Sequence, residues 1–415
     1  MTETPTPPGE LPPGEIPTGQ LPLEGLRVLD LSTVVAGPVI ARNLGDFGAE
    51  VIKVEHPVHG DSVRKLGYQV QGESLWWKTL SRNKLPITLN LADPRGAELC
   101  RKLAKISDVV VENFRPGTLE RWGLGPDVLL ADNPKLVITR VSGFGQDGPY
   151  AGRPGFGTLA ESLSGFAGTH GEEGGPPQLP AIALADETAG IWGTMATLMA
   201  LLHRERHDGG GQVVDVSLYE PLFAMLGPLP AWFDLTGAES PRLGNRMPFT
   251  APRGAYRSAD DVWIGVSGTS PAVAHRILAA IERPELAHDP RFATNEDRLA
   301  NAEALDELIA AWVGEHSAEE VLAAFTAADA AAAPVYRMAD VFADPHFAAR
   351  GTIAHAPDDD LGTVAMAAVV PRLTATPGQV RWTGQAMGAA NAAVYGGLLG
   401  LTEESLATLH ADGVV

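Results

Sequence analysis

The chain has 415 residues, 45% of them hydrophobic and 20% charged, with a formal net charge of −20. That length calls for more than one core, and the composition excludes a disordered chain. The acidic balance argues against a nucleic-acid partner, and any pocket for an anion must gather its few cations locally.

Residues 1–20 are rich in Pro, Gly, Thr and Glu and read as a flexible tail. This opening has neither the basic nor the apolar region of a secretory signal. LRVLDLS, from Leu26, predicts a buried strand, GPVIARNLGDFGA a helix and EVIKVE a second strand. PITLNL, the helix DPRGAELCRKLAKIS, and the strands DVVVEN and LVITRVS continue the alternation. Strand, helix, strand with short connections indicates an α/β fold whose mostly parallel sheet is covered on both faces. The lone cysteine, Cys100, falls within an amphipathic helix and reads as a packed residue.

From Asp186 to about Arg206 the sequence predicts a long helix, acidic at its start and basic at its end. GGGQVVDVSLYE then gives a glycine turn and a strand. Residues 229–334 change character, with a hairpin turning at Ala259–Asp261 followed by helices, and read as a smaller α+β domain. Beyond Pro334 come DVFADPHFAARG, an antiparallel pair around DDDLG, and a final helix at TEESLATLH. No run of about 18 apolar residues occurs, so no membrane span is expected, and a cytoplasmic location fits the cysteine usage.

Gly143-Phe-Gly-Gln-Asp-Gly148 has the spacing of a dinucleotide fingerprint, but two prolines follow it where that motif needs a helix. His56 and His59 lack further ligands nearby, so no metal is expected. Asp358–Asp360 reads as a solvated turn. Asp186, just after an apolar run and at a helix start, is either a helix cap or a carboxylate held ready for chemistry, and spacing alone does not separate the two.

Several segments together resemble the family III (CaiB/BaiF-type) CoA-transferases. They are LPLEGLRVLDLSTVVAGPVIARNLGDFGAEVIKVEHPVHGD, SRNKLPITLNLADPRGAELCRKLAKISDVVVENFRPGTLERWGL, NPKLVITRVSGFGQDGPYAGRPG, LADETAG, GGGQVVDVSLYE, DPRF and APVYRMADVFADPHFAARG, in the family's order from Leu21 onward. The resemblance implies a Rossmann-like large domain built from residues 21–228 and 335–415, a small domain at 229–334, and an interlocked homodimer. It makes Asp186 the catalytic carboxylate, which forms an aspartyl-CoA thioester while CoA moves from a donor thioester to an acceptor acid. CoA contacts are expected at Val34, Val35, Ala36, Lys84, Asn113, Phe114 and Arg121. CoA or acyl-CoA enters as substrate, with no permanently bound cofactor, no metal, no nucleic acid and no membrane partner.

Where some relatives carry a basic residue after VIKVE, this chain has His56 and Pro57. Two other functions compete. An α-methylacyl-CoA racemase of the same fold needs a histidine opposite the aspartate, and Phe156 stands at the matching place, with His170 the nearest imidazole in sequence. A non-catalytic CoA-binding paralogue is the other. Trp232, Phe233, Trp76 and Trp77 are candidate walls of an acceptor site or core residues. Arg246 and Arg253, in GNRMPFTAPRG, offer cations to an acceptor carboxylate or sit as solvated charge.

Overall fold

A computed structural model of the chain describes residues 21–415, so the tail expected over residues 1–20 lies outside the described residues. Contacts divide the chain into two units. The first contains the chain up to Gly155, Asp186–Leu218 and Ile353–Val415; the second contains Phe156–Ala185 and Tyr219–Thr352. The middle unit therefore takes in Phe156–Ala185, a stretch whose glycines and prolines hide any hydrophobic period, and the chain returns at 353, not 335.

In the first unit the apolar runs form six strands: β1 Arg27–Asp30, β2 Glu50–Glu55, β3 Lys84–Thr88, β4 Val109–Glu112, β5 Val137–Ser142 and β6 Val213–Ser217. They make one parallel sheet in the order β3-β2-β1-β4-β5-β6. Val28 pairs with Val51 on one side and Val109 on the other. Five of the strands, all but β6, are buried nearly throughout, which is why they read as continuous apolar runs without alternation. Helix α1, Ala36–Asp46, follows β1, and α2, Pro94–Lys105, follows β3. Cys100 sits fully buried in α2, where the apolar surroundings push its thiol up to about 12 and leave it a poor nucleophile. Late segments complete this core: Ala390, Val394 and Tyr395 join the cluster around Leu29, Ile52 and Val110.

The second unit has a three-stranded antiparallel sheet. Its strands β7, Arg253–Arg257, and β8, Trp263–Ser267, form the expected hairpin, and β9, Ala332–Pro334, pairs with β8. Tyr256, Ile264, Ile277, Phe292, Leu305, Ile309 and Phe325 fill its core. Among the described residues no helix is long and apolar enough to cross a membrane.

Candidate active site

The strand order reverses between β1 and β4. In an open parallel sheet that switch point leaves a crevice at the carboxyl ends of the strands, because the connections leave it in opposite directions. The chain after β1 enters this crevice as Ser32–Val35, and the chain after β4 as Asn113–Phe114. Asn113 joins the two. Its Oδ1 accepts the Thr33 amide at 2.7 Å, and its Nδ2 donates to the Thr33 carbonyl at 2.7 Å. Val34, held next in line, has a φ of +66°, and its amide donates to Asp61 Oδ1 at 3.1 Å. A β-branched residue in this region is strained. Val35 then precedes α1, whose first turn has no side-chain cap and presents backbone amides.

Beneath the loop lies a charge cluster that the sequence hints at only through lone charges in apolar strands, Asp30 in VLDLS and Lys53 in VIKVE. Lys53 Nζ lies 2.9 Å from Asp61 Oδ2 and also donates to the Ser32 carbonyl; both charged side chains are almost wholly buried. Lys84 Nζ lies 2.9 Å from Asp30 Oδ2 and 2.8 Å from the Pro38 carbonyl. Burial alone would neutralise Asp30, but the two lysines beside it win and hold its carboxyl below the ordinary range. Burial likewise opposes the charge on Lys53, and Asp30 and Asp61 outweigh it and raise the ammonium. For Lys84 burial prevails and the ammonium is lowered, to about 8. Two acids and two bases balance, so the interior carries no net charge from this group.

The residues expected to contact CoA therefore separate. Val34, Val35, Ala36, Asn113 and Phe114 gather at the switch point, with Phe114 edge-on to Trp122 at 5.2 Å. Arg121 ends the short helix α3, Thr118–Arg121, with an exposed side chain that donates to Thr118 Oγ1 at 3.0 Å. Lys84 differs. It is 0% exposed, and its ammonium is committed to Asp30 and the Pro38 carbonyl, so it supports the loop from below and presents no charge to a phosphate. Its place at the head of β3, under α1, dictates that orientation.

Asp186 lies in a helix, Leu184–His207, that begins two residues earlier than its sequence indicates. This is α5, counting Gly157–Leu163 of the second unit as α4. Asp186 is the third residue of α5 and not its cap, while the Ala185 amide donates to the buried Glu161 of α4 at 3.2 Å. The amides and dipole of this first turn favour an anion on Asp186. Two glycines set α5 close against α1. A Cβ on Gly190 would lie 2.4 Å from Val39 Cγ1 and 3.2 Å from the Ala36 carbonyl, and one on Gly193 would lie 2.5 Å from Ile40 Cδ1. Arg42 pairs with Glu187 at 3.3 Å, and Asn43 Nδ2 donates to Thr194 Oγ1 at 3.2 Å. Gly190 thus meets the opening turn of α1, and Asp186 stands four residues before Gly190, about 6 Å along the axis.

The remaining sequence candidates fall elsewhere. Gly143 and Gly155 let two backbones touch, since a Cβ on Gly143 would come 2.5 Å from the Gly155 Cα, so this glycine-rich loop closes on itself and opens no helix. His56 stacks on His59 at 4.8 Å, and no group of three or more metal-ligating side chains occurs among the described residues. Trp77 is buried in the core under the Arg64 guanidinium. Asp358 is not a solvated turn residue: it is 7% exposed and receives the Thr383 hydroxyl, two backbone amides and Lys78.

A parallel sheet in 3-2-1-4-5-6 order, with its switch point between β1 and β4, defines a Rossmann-like α/β protein. Residues 23–391 match the description CoA-transferase family III, and the chain belongs to that family as a CoA-transferase. It is 43% identical over 394 residues to succinyl-CoA–D-citramalate CoA-transferase of Chloroflexus aurantiacus, covering 95% of this chain and 98% of that protein. It is 33% identical over 332 residues to succinyl-CoA:glutarate CoA-transferase of Mus musculus, covering 80% and 76%. A CaiB/BaiF family protein from Brucella suis has the same fold, with a TM-score of 0.81 at 32% identity over 91% of this chain and all of that one.

Proposed function

We propose that the protein moves CoA from a donor thioester, succinyl-CoA, to a short dicarboxylic or hydroxydicarboxylic acid through an aspartyl-CoA thioester on Asp186. The observation that carries this reading is the position of Asp186, inside the first turn of α5 and beside α1, in a chain whose relatives include transferases named for succinyl-CoA with citramalate, malate or glutarate. The Asp186 carboxylate attacks the donor thioester carbonyl, the C–S bond breaks, and CoA leaves as its thiolate with a mixed anhydride left behind. The thiolate attacks the Asp186 carbonyl of that anhydride, which frees the donor acid and leaves the aspartyl thioester. The acceptor carboxylate then attacks the aspartyl thioester and releases the thiolate. Attack of the thiolate on the acceptor carbonyl forms the product thioester and restores Asp186.

The Val34–Ala36 loop, Asn113, Phe114 and Arg121 are the CoA contacts in this reading, the amides of α1 and the Arg121 charge suiting phosphate. Lys84 acts under them as a support. The racemase reading is disfavoured because Phe156, standing where that chemistry needs a histidine, bears no exchangeable proton. A homodimer is part of the proposal. On α5, Ile191, Trp192, Met195, Leu198, Met199 and Leu202 form an exposed apolar stripe at helical spacing, while Gly190, Gly193 and Thr197 face inward.

Incubation with succinyl-CoA, followed by borohydride or hydroxylamine trapping and peptide mass spectrometry, tests the mechanism. The expected result is modification at Asp186, absent in Asp186→Ala, with transfer reduced by at least about 10³-fold. Unmodified Asp186 during full turnover overturns it.

A further inference from the structure

The second unit encloses a cavity of about 220 Å³, lined among others by Arg246, Arg253, Thr250, Asp306, Leu299 and Ala302. Arg253 Nη1 donates to the Asn245 carbonyl at 2.7 Å, which anchors the guanidinium at the wall. Arg246 reaches Glu173 Oε2 at 3.2 Å, and its Nε lies 4.0 Å from Asp306 Oδ2. Asp306 in turn accepts the Tyr256 hydroxyl at 2.6 Å, and burial raises its carboxyl above the ordinary range. Thr250 is 3% exposed, and its Oγ1 has no partner among the described residues. A buried hydroxyl is almost always hydrogen-bonded, so the Thr250 hydroxyl keeps its hydrogen-bonding capacity for whatever occupies the cavity.

From these features we propose that the cavity is a binding site for a short dicarboxylate, with or without a hydroxyl group. Two guanidinium groups in the lining each suit a carboxylate. Thr250 offers a hydrogen bond to a carboxylate oxygen, Asp306 accepts one from a hydroxyl, and Leu243, Met247 and Leu299 face the methylenes. The volume is below the roughly 300–1,000 Å³ typical of drug-sized ligands, which limits the acid to a short one. Arg246 is shared with Glu173 and Asp306, so Arg253, held only by the Asn245 carbonyl, is the cation with charge to spare in a chain that as a whole stands at −20. All the groups belong to the second unit, so the inference stands without the Asp186 chemistry.

Isothermal titration of the full chain with succinate and with L-malate, in the absence of any CoA thioester, tests the site, with succinamide as the uncharged probe. Saturable binding is expected for the acids and not for succinamide. It weakens by about tenfold or more in Arg246→Gln and in Ala302→Leu, which fills the cavity without removing charge. Arg276→Gln, at a half-buried arginine paired to Asp329 and outside the cavity lining, leaves it unchanged, as does Asp186→Asn. Thermal melts of each variant establish that the fold is kept. Absence of saturation up to about 10 mM acid, retention of binding in both cavity variants, or its loss in Asp186→Asn overturns the proposal.

Discussion

Val34 carries a side chain that opposes the backbone conformation it adopts, at a cost of roughly 1–2 kcal/mol. Its neighbours pay that cost, with Asn113 holding Thr33 from one side and Asp61 taking the Val34 amide from the other. Strain maintained in this way marks a loop whose shape matters more than its stability. Val34→Gly removes the strain and the stiffness together. Its Tm is expected to stay within about 3 °C of the parent, since relief and added chain entropy offset each other, while KM for the CoA donor rises several-fold and kcat changes little. A fall in Tm with KM unchanged would show that the valine serves packing only. None of this was legible in VLDLSTVVAG, because a β-branched residue gives no sign of positive φ. The lone Asp30 and Lys53 in apolar strands were the visible clue, and a buried pair is the only inexpensive way to place charges there.

Among the elements, α5 shows how sequence and structure diverge. Its length, its acidic start and its basic end were readable, but most of its large apolar residues lie on the exposed stripe and so point away from the face that packs on α1. The inward face is made of small residues, which periodicity arguments overlook. Gly190→Val is therefore expected to push α5 from α1, lowering stability by about 1–3 kcal/mol and kcat/KM by at least about tenfold through displacement of Asp186. Denaturant melts together with steady-state rates check both. The late hairpin, Ile353–Asp358 with Gly362–Ala367, is held differently. Burial raises the Asp358 carboxyl, but the Thr383 hydroxyl, the Leu361 amide and Lys78 more than compensate, so its folded value lies below 3.8. A carboxyl depressed on folding contributes stability above its unfolded value, and that contribution fades as pH falls through the folded value. Asp358→Asn should lose about 2 kcal/mol at pH 7 and show a flatter decline of Tm below pH 4 than the parent. An unchanged acid limb would mean that other carboxylates set it.

For the whole molecule, the mostly parallel sheet followed from the run of strands and helices, but its order, and with it the switch point that locates the crevice, came only from the pairing of the strands. The middle unit was only partly legible, because Phe156–Ala185 carries no period and its membership is decided by contacts far along the chain. The apolar stripe on α5 bears on assembly. Met199 is 59% exposed, and Met199→Glu is expected to shift the protein in light scattering from twice the chain mass toward one, with loss of activity. A wild-type protein of single chain mass would remove the dimer from the proposal.

The first unit is also joined across very long sequence distances. The Asn83 amide donates to the Trp382 carbonyl, Asn391 pairs with Thr88 across 303 positions, and Tyr395 donates to the Thr88 carbonyl. Everything in Tyr219–Thr352 is made between these partners. During synthesis at about 5–20 residues per second, the sheet must therefore wait roughly ten seconds or more with the outer side of β3 uncovered while another unit forms. Such delays favour association between nascent chains, so a ribosome paused between residues 219 and 352 holds out a sheet whose last partners do not yet exist.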